Sequence, residues 1–140
     1  MSNRSTPQAP ADVTQPGAIS VFFPCYNEQG NVARVAQQAI DVLEGIHADY
    51  EVVIVDDGSS DDTGRIADEI AAAHDRVRVV HHPRNLGYGA ALQSGFRAAR
   101  KELVFYTDGD GQFDLNEMPP LLPLMRQYDI VSGYRLDRKD

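Results

Sequence analysis

Two aspartates one residue apart, Asp108 and Asp110, with Gln112 at the next alternate position, are the residues of this sequence best placed to do chemistry. They belong to the stretch from Asp108 to Asp114, which also carries Gly109 and Gly111 and directly follows the apolar run Leu103 to Tyr106. A buried strand that breaks into such a loop would bring both carboxylates into one small volume. Their repulsion there is costly unless a cation lies between them, and hard cations such as Mg²⁺ or Mn²⁺ prefer oxygen ligands. The two carboxylates and the amide oxygen of Gln112 would offer three such ligands. The plain alternative is an Asp/Gly-rich turn, which takes up unusual backbone angles without any ligand. Short motifs of this kind often match by chance, so the rest of the chain has to decide.

Three further polar groups also follow apolar runs. Pro24, Tyr26 and Glu28 offer a ring face, a hydroxyl and a carboxylate. A flat base could pack on the ring while the carboxylate accepts from a ribose hydroxyl or a base N–H. Equally, the proline could simply end a strand and the glutamate serve a helix terminus. In Asp56 to Ser60, helix capping accounts for Ser59 or Ser60 but not for Asp57, which is left for a base or ribose contact. Arg84 to Gly89 lacks the spacing of a dinucleotide-binding fingerprint and does not follow the first strand. Its Gly87 and Gly89 instead let the backbone approach a ligand. His47, His74, His81 and His82 show no metal-ligand spacing and are read as having no functional role. Cys25, the single cysteine, permits neither an internal disulfide nor a paired-cysteine zinc site and is read as a packed thiol.

The elements that must position these groups alternate along the chain. Residues 1–17 are rich in Pro, Ser, Thr and Gln and are expected to be a disordered leader, with the folded domain spanning 18–140. Strands are expected at Ile19–Phe23, Glu51–Val55, Val77–Val80 and Leu103–Tyr106, with a further one starting at Asp129–Ser132. Between them lie helices: one capped by Asn27 with Val32, Val35, Ala36, Ala39, Ile40 and Leu43 on its apolar face, one opened by Ser60 to Asp62, and one bearing Leu92, Gly95, Phe96 and Ala99. A last helix around Met118 to Met125 should start late or be irregular, because Pro119, Pro120 and Pro123 interrupt it. Strands that are continuous apolar runs, alternating with helices, predict an α/β fold with a mostly parallel sheet covered on both faces. Ligands of such sheets bind outside the carboxyl ends of the strands. All four polar groups follow strand ends and would face one crevice.

The bulk properties narrow the function. A chain of 140 residues, 42% hydrophobic and 24% charged, is one ordinary globular domain. A net charge of −8 without an extended basic cluster argues against nucleic acid as a partner. A phosphorylated small molecule is compatible with that charge if a metal ion supplies the positive counterpart. No stretch is apolar for long enough to span a membrane, and a cytoplasmic protein is expected, with peripheral attachment at the inner face of the membrane left open.

Taken together and in order, Ile19 to Glu28, Val53 to Ser59, Asn85 to Ala90 and Asp108 to Gln112 resemble the nucleotide-sugar half of family 2 glycosyltransferases with the Rossmann-like GT-A fold. Within that family the resemblance is to the dolichyl- or polyprenyl-phosphate sugar synthases, and it covers Ile19 to Arg138. It implies that Pro24, Tyr26, Glu28, Val55 and Asp57 line a nucleoside pocket, together with Asp108. It also implies that Asp108 and Asp110 hold Mg²⁺ or Mn²⁺ on the donor diphosphate, with Gln112 as a further ligand. Arg135 resembles an arginine used at the phosphates, whereas Arg138 is a looser match. The implied reaction is inverting transfer from a UDP- or GDP-linked sugar to a lipid-phosphate or glycan acceptor, with Asp110 and Arg135 in catalytic roles. The sheet is expected to stop short of an acceptor-binding half, so that this chain alone would transfer little. Two other readings stay open: a nucleotide-binding module without turnover, and a nucleotidyltransferase, although the latter would want a Gly- and Lys/Arg-rich loop where Pro24 to Glu28 stand.

Overall fold

The computed structural model describes residues 17–133, so the expected leader up to residue 16 and both Arg135 and Arg138 lie outside the described residues. Four strands, β1 (Ala18–Cys25), β2 (Asp49–Asp56), β3 (Val77–His81) and β4 (Leu103–Tyr106), form one parallel sheet in the order β3-β2-β1-β4. The helices α1 (Val32–Gly45), α2 (Thr63–Ala73) and α3 (Tyr88–Ala98) are the crossovers that parallel pairing demands. The chain winds outward from β1 through β2 to β3, then returns to the other side of β1 with β4. The order therefore reverses between β1 and β4, and this is the topological switch point at which such sheets bind ligands.

Alternation of side chains along each strand divides the core in two. Ile19, Val21, Phe23 and Cys25 of β1 and Val52 and Ile54 of β2 pack with the apolar face of α1 and with Ala67 of α2. Phe22, Val53 and Val55 point the other way and pack under Ala91 and Leu92 of α3. Both sheet faces are thus covered, which is why the strands read as continuous apolar runs. α3 lies very close to β1: a β-carbon on Gly95 would stand 2.1 Å from the ring of fully buried Phe22. That ring stacks on Tyr106 and meets Phe96 edge-on.

Polar order at the opposite end of the sheet comes from Glu51, which accepts from Ser20 Oγ at 2.7 Å, from Arg78 Nη2 at 2.8 Å and from the backbone N–H of Arg100 at 2.7 Å. Burial pushes its carboxyl up, but these hydrogen bonds outweigh it and leave the group below the usual glutamate range.

The structure departs from expectation in two places, and in a third it shows the irregular helix that the prolines led one to expect. Asn27 does not cap α1, which starts later with Asn31 at its N-cap; Asn27 has φ +54° and turns its side chain toward the neighbouring loop. Residues 129–132 form no strand, and Ile130 is 84% exposed. The proline-rich segment forms two 3₁₀ helices, Leu115–Glu117 and Pro119–Arg126, the geometry left when prolines withhold the donors a regular α-helix requires. No helix among the described residues is long and apolar enough to cross a membrane.

Candidate functional site

β4 pairs with β1 only as far as Phe22, matched to Tyr106, whereas β1 continues against β2 to Cys25. Past that point the two strand ends diverge and a cavity of about 430 Å³ opens between them. Pro24 stands where the β4 ladder has ended, so its missing N–H breaks no bond to β4. The backbones remain close below the cavity: a β-carbon on Gly109 would lie 2.6 Å from both Cys25 Sγ and the Pro24 carbonyl oxygen.

Each wall of the cavity is held by a different loop. Tyr26, 47% exposed, and Glu28 come from the segment after β1. That segment is clamped to the β2 loop because Asn27 Oδ1 accepts from the Ser60 N–H at 2.8 Å and the Glu28 N–H donates to Thr63 Oγ1 at 2.8 Å. Asp57 follows β2, and its buried carboxylate makes four side-chain hydrogen bonds. Oδ1 accepts the Leu86 N–H at 2.8 Å and lies 2.7 Å from His82 Nδ1, while Oδ2 accepts from Asn85 Nδ2 and the Gly87 N–H, each at 3.1 Å. The backbone must dive under this loop at Gly58, where φ is +70° and a β-carbon would collide with the Arg84 carbonyl carbon at 2.1 Å.

The fourth wall is the acidic loop. Asp110 Oδ1 accepts the Gln112 N–H at 3.0 Å, a side-chain turn that folds Gly111 into φ +78°. Arg34 of α1 lies over Gly111 and donates to Asn31 Oδ1 at 2.8 Å. Asp108 accepts from the Tyr88 hydroxyl at 2.8 Å, a bond that spans the cavity from the start of α3. Burial, then the Asp108 contact, pushes the Tyr88 hydroxyl up to about 12, so it stays protonated and donates. Burial likewise pushes the Cys25 thiol far up, in keeping with a packed side chain and not a nucleophile.

Of the residues expected at a ligand, Pro24, Tyr26, Glu28, Asp57, Asp108 and Asp110 all line this one cavity. Val55 does not: it is fully buried in the core beneath α3, so it can floor the crevice but not touch its contents. Gln112 lies on the exposed side of the acidic loop, outside the lining. Two of the histidines read as having no functional role, His81 at the end of β3 and His82 after it, hold loops together. His81 bridges Asp56 and Asp68, and His82 bridges Asp57 and Ser94. Tyr88 and Arg34 were also missed; each reaches the acidic loop from a helix distant in sequence, which no local pattern signals.

The electrostatics of the cavity are one-sided. Four carboxylates line it, Glu28, Asp57, Asp108 and Asp110, and no Lys or Arg does so among the described residues. No three His, Cys, Asp or Glu side chains among the described residues cluster as a ready-made metal cage. Two oxygen donors with room for further ligands suit Mg²⁺ or Mn²⁺, which commonly bind through one or two carboxylates and complete their shells with water and phosphate. The donor set therefore fits a hard divalent cation shared with a phosphorylated ligand.

Comparison with known proteins points the same way. The family model for Glycosyl transferase family 2 matches residues 20–140. Glycosyltransferase AglD of Haloferax volcanii is 36% identical over 137 residues, covering 94% of this chain and 22% of that protein. Undecaprenyl-phosphate 4-deoxy-4-formamido-L-arabinose transferase of Edwardsiella ictaluri is 37% identical over 124 residues, 87% of this chain and 38% of that protein. Among solved structures, the mannosyltransferase PcManGT of Pyrobaculum calidifontis, in complex with GDP-Man and Mn²⁺, superposes with a TM-score of 0.68 at 25% identity, over 85% of this chain and 35% of that one. The chain thus spans well under half the length of each of these relatives.

Proposed function

The chain belongs to glycosyl transferase family 2, and on that premise we propose that its strand-end crevice holds a nucleotide diphosphate sugar for transfer to a polyprenyl-phosphate acceptor. The observation that carries this reading is the meeting of Pro24 to Glu28 with Asp108 and Asp110 in one cavity whose charged lining groups, among the described residues, are all carboxylates. An anionic diphosphate enters such a cavity only with a cation, and the acidic pair is where that cation would be held. Pro24 and Tyr26 offer faces for a base and Glu28 accepts from base or ribose donors, while Asp57, its acceptor sites already taken, shapes the pocket through residues 85–87. Asp108 and Asp110 would hold Mg²⁺ or Mn²⁺, with Gln112 close enough in sequence to join them. Bound there, the ion would offset the negative charge that builds on the leaving diphosphate.

The acceptor class is drawn from relatives such as the undecaprenyl-phosphate transferase, and it suits the residues present. A phosphate monoester oxygen is already ionised near neutral pH, so its attack on the anomeric carbon needs no carboxylate base. That oxygen forms the new bond as the sugar–phosphate bond breaks, the electron pair leaves with the nucleoside diphosphate, and attack from the opposite face inverts the anomeric centre. Arg135, expected at the phosphates, would act on the same diphosphate.

Calorimetry with UDP- and GDP-sugars, with and without Mn²⁺, tests this reading directly. The expected result is metal-dependent binding of one donor class that is abolished by Asp110→Ala. Binding that needs no metal, or that survives the substitution unchanged, would remove the acidic pair from the role given to it.

A further inference from the structure

His82 lies immediately after β3, and its side chain is only 7% exposed. Both ring nitrogens are engaged: Nδ1 with Asp57 Oδ1 at 2.7 Å and Nε2 with Ser94 Oγ of α3 at 2.7 Å. We propose that His82 is a positioning residue for the donor pocket, in which a Ser94–His82–Asp57 chain fixes the Asp57 carboxylate and, through it, the backbone of residues 85–87 along the crevice wall. The proposal rests on the nucleotide-sugar reading of that crevice.

An ionised carboxylate has about four acceptor sites and no donor, and three N–H groups already donate to Asp57, Leu86 to Oδ1 and Asn85 and Gly87 to Oδ2. The 2.7 Å contact between Oδ1 and His82 Nδ1 therefore needs its proton on Nδ1. In the neutral ring Nε2 is then an acceptor, and the Ser94 hydroxyl donates to it, which locks both tautomer and ring plane. Two of the groups that Asp57 gathers, Asn85 and Gly87, themselves line the cavity. Gly87 has φ +102° and opens α3, so a shift of its N–H also moves Tyr88 and the bond from Tyr88 to Asp108. His82 touches no part of the cavity itself, yet it sets the position of groups on two of the cavity walls.

The test uses the full 140-residue chain with His82→Leu, which keeps bulk without a donor, and His82→Asn, whose amide places an N–H near Nδ1. Loss of a charge-assisted hydrogen bond predicts that His82→Leu weakens donor-sugar binding about tenfold or more and that exchange protection falls at the Leu86 and Gly87 amides. In His82→Asn both should recover to within about threefold of the unaltered chain, because the donor to the charged oxygen is restored. Nitrogen NMR of the unaltered chain should find Nδ1 protonated; a neutral ring protonated only on Nε2 would overturn the proposal even if neither variant folds. Unchanged amide protection in His82→Leu, or equal damage from both variants, would also overturn it. The exchange and NMR readouts need no nucleotide, so the two readings fail separately. If the unaltered chain binds neither UDP- nor GDP-sugars, the donor reading falls and the pocket role of His82 falls with it, whatever the amides report.

Discussion

Replacing Asp57 by asparagine removes one charge and one acceptor oxygen while keeping the shape, so it isolates what the carboxylate does. Oδ1 can remain an acceptor for His82 and Leu86, but as a neutral oxygen. Hydrogen bonds to charged groups contribute about 1.5–3 kcal/mol and neutral ones about 1, so these two bonds together lose roughly 1–4 kcal/mol. On the other side the new amide N–H₂ faces Asn85 and the Gly87 N–H. Asn85 can turn its own amide and present oxygen, but the Gly87 N–H has no such freedom and becomes a buried donor facing a donor, at a cost of about 1–3 kcal/mol. The expected total is about 2–7 kcal/mol, a large part of the 5–15 kcal/mol that typically separates folded from unfolded domains. For a chain of this size each kcal/mol lowers the melting temperature by roughly 3–5 °C, so a fall of about 6–35 °C is expected in calorimetric or circular-dichroism melts. Hydrogen exchange should place the lost protection at Leu86 and Gly87 before it reaches the central strands. A loss below about 1 kcal/mol, or full protection of the Gly87 amide, would show that Asp57 is not the hub the geometry describes.

Gly95→Ala should destabilise the protein even though alanine is favoured over glycine in helices by about 1 kcal/mol. The new methyl would meet the fully buried Phe22 ring at 2.1 Å, and overpacking of that kind costs about 1–3 kcal/mol or more; a melting temperature at or above that of the unaltered chain would refute the close approach of α3. The His81 ring is held above its ordinary 6.5 chiefly by its bond to Asp68, against partial burial and with help from Asp56. A raised value means that this contribution is complete below pH 6.5 and is lost as pH rises through the folded value. The stability advantage of the unaltered chain over His81→Gln should therefore be larger in denaturant melts near pH 6 than near pH 8, and an advantage independent of pH would refute the assignment.

The sheet was legible because its strands are buried on both faces and so stand out as unbroken apolar runs between periodic helices. The crevice was legible for the related reason that polar residues clustering after four such runs must meet at one end of a parallel sheet. What escaped depended on distance in sequence. His82, Ser94 and Asp57 form one chain of hydrogen bonds, but they lie in three elements and no spacing rule links them. Asn27 looked like a helix cap because its type suits that role, and only the arrival of the 59–61 loop explains why its side chain turns outward instead. Residues 129–132 had the composition of a strand, but composition cannot supply a partner edge. Val55 belonged to the right strand and to the same face as Asp57, but it is buried beneath α3, which strand alternation alone does not reveal.

The strand order carries one more consequence, for the order in which the molecule forms. Ile19 finds Tyr50 across β2 and Leu103 across β4, so the β4 ladder closes a loop roughly 2.7 times longer, at an extra entropic cost of about 0.9 kcal/mol. β4 is also the shortest of the four strands, with fewer pairs to offset that cost. Contacts this distant along the chain tend to form late. The loops from β1, β2 and β3 are therefore brought together by shorter chain closures than the one that brings in the acidic pair. Whatever bridges both sides of the switch point would act as a clasp on the last strand to dock, tying completion of the fold to occupation of the crevice.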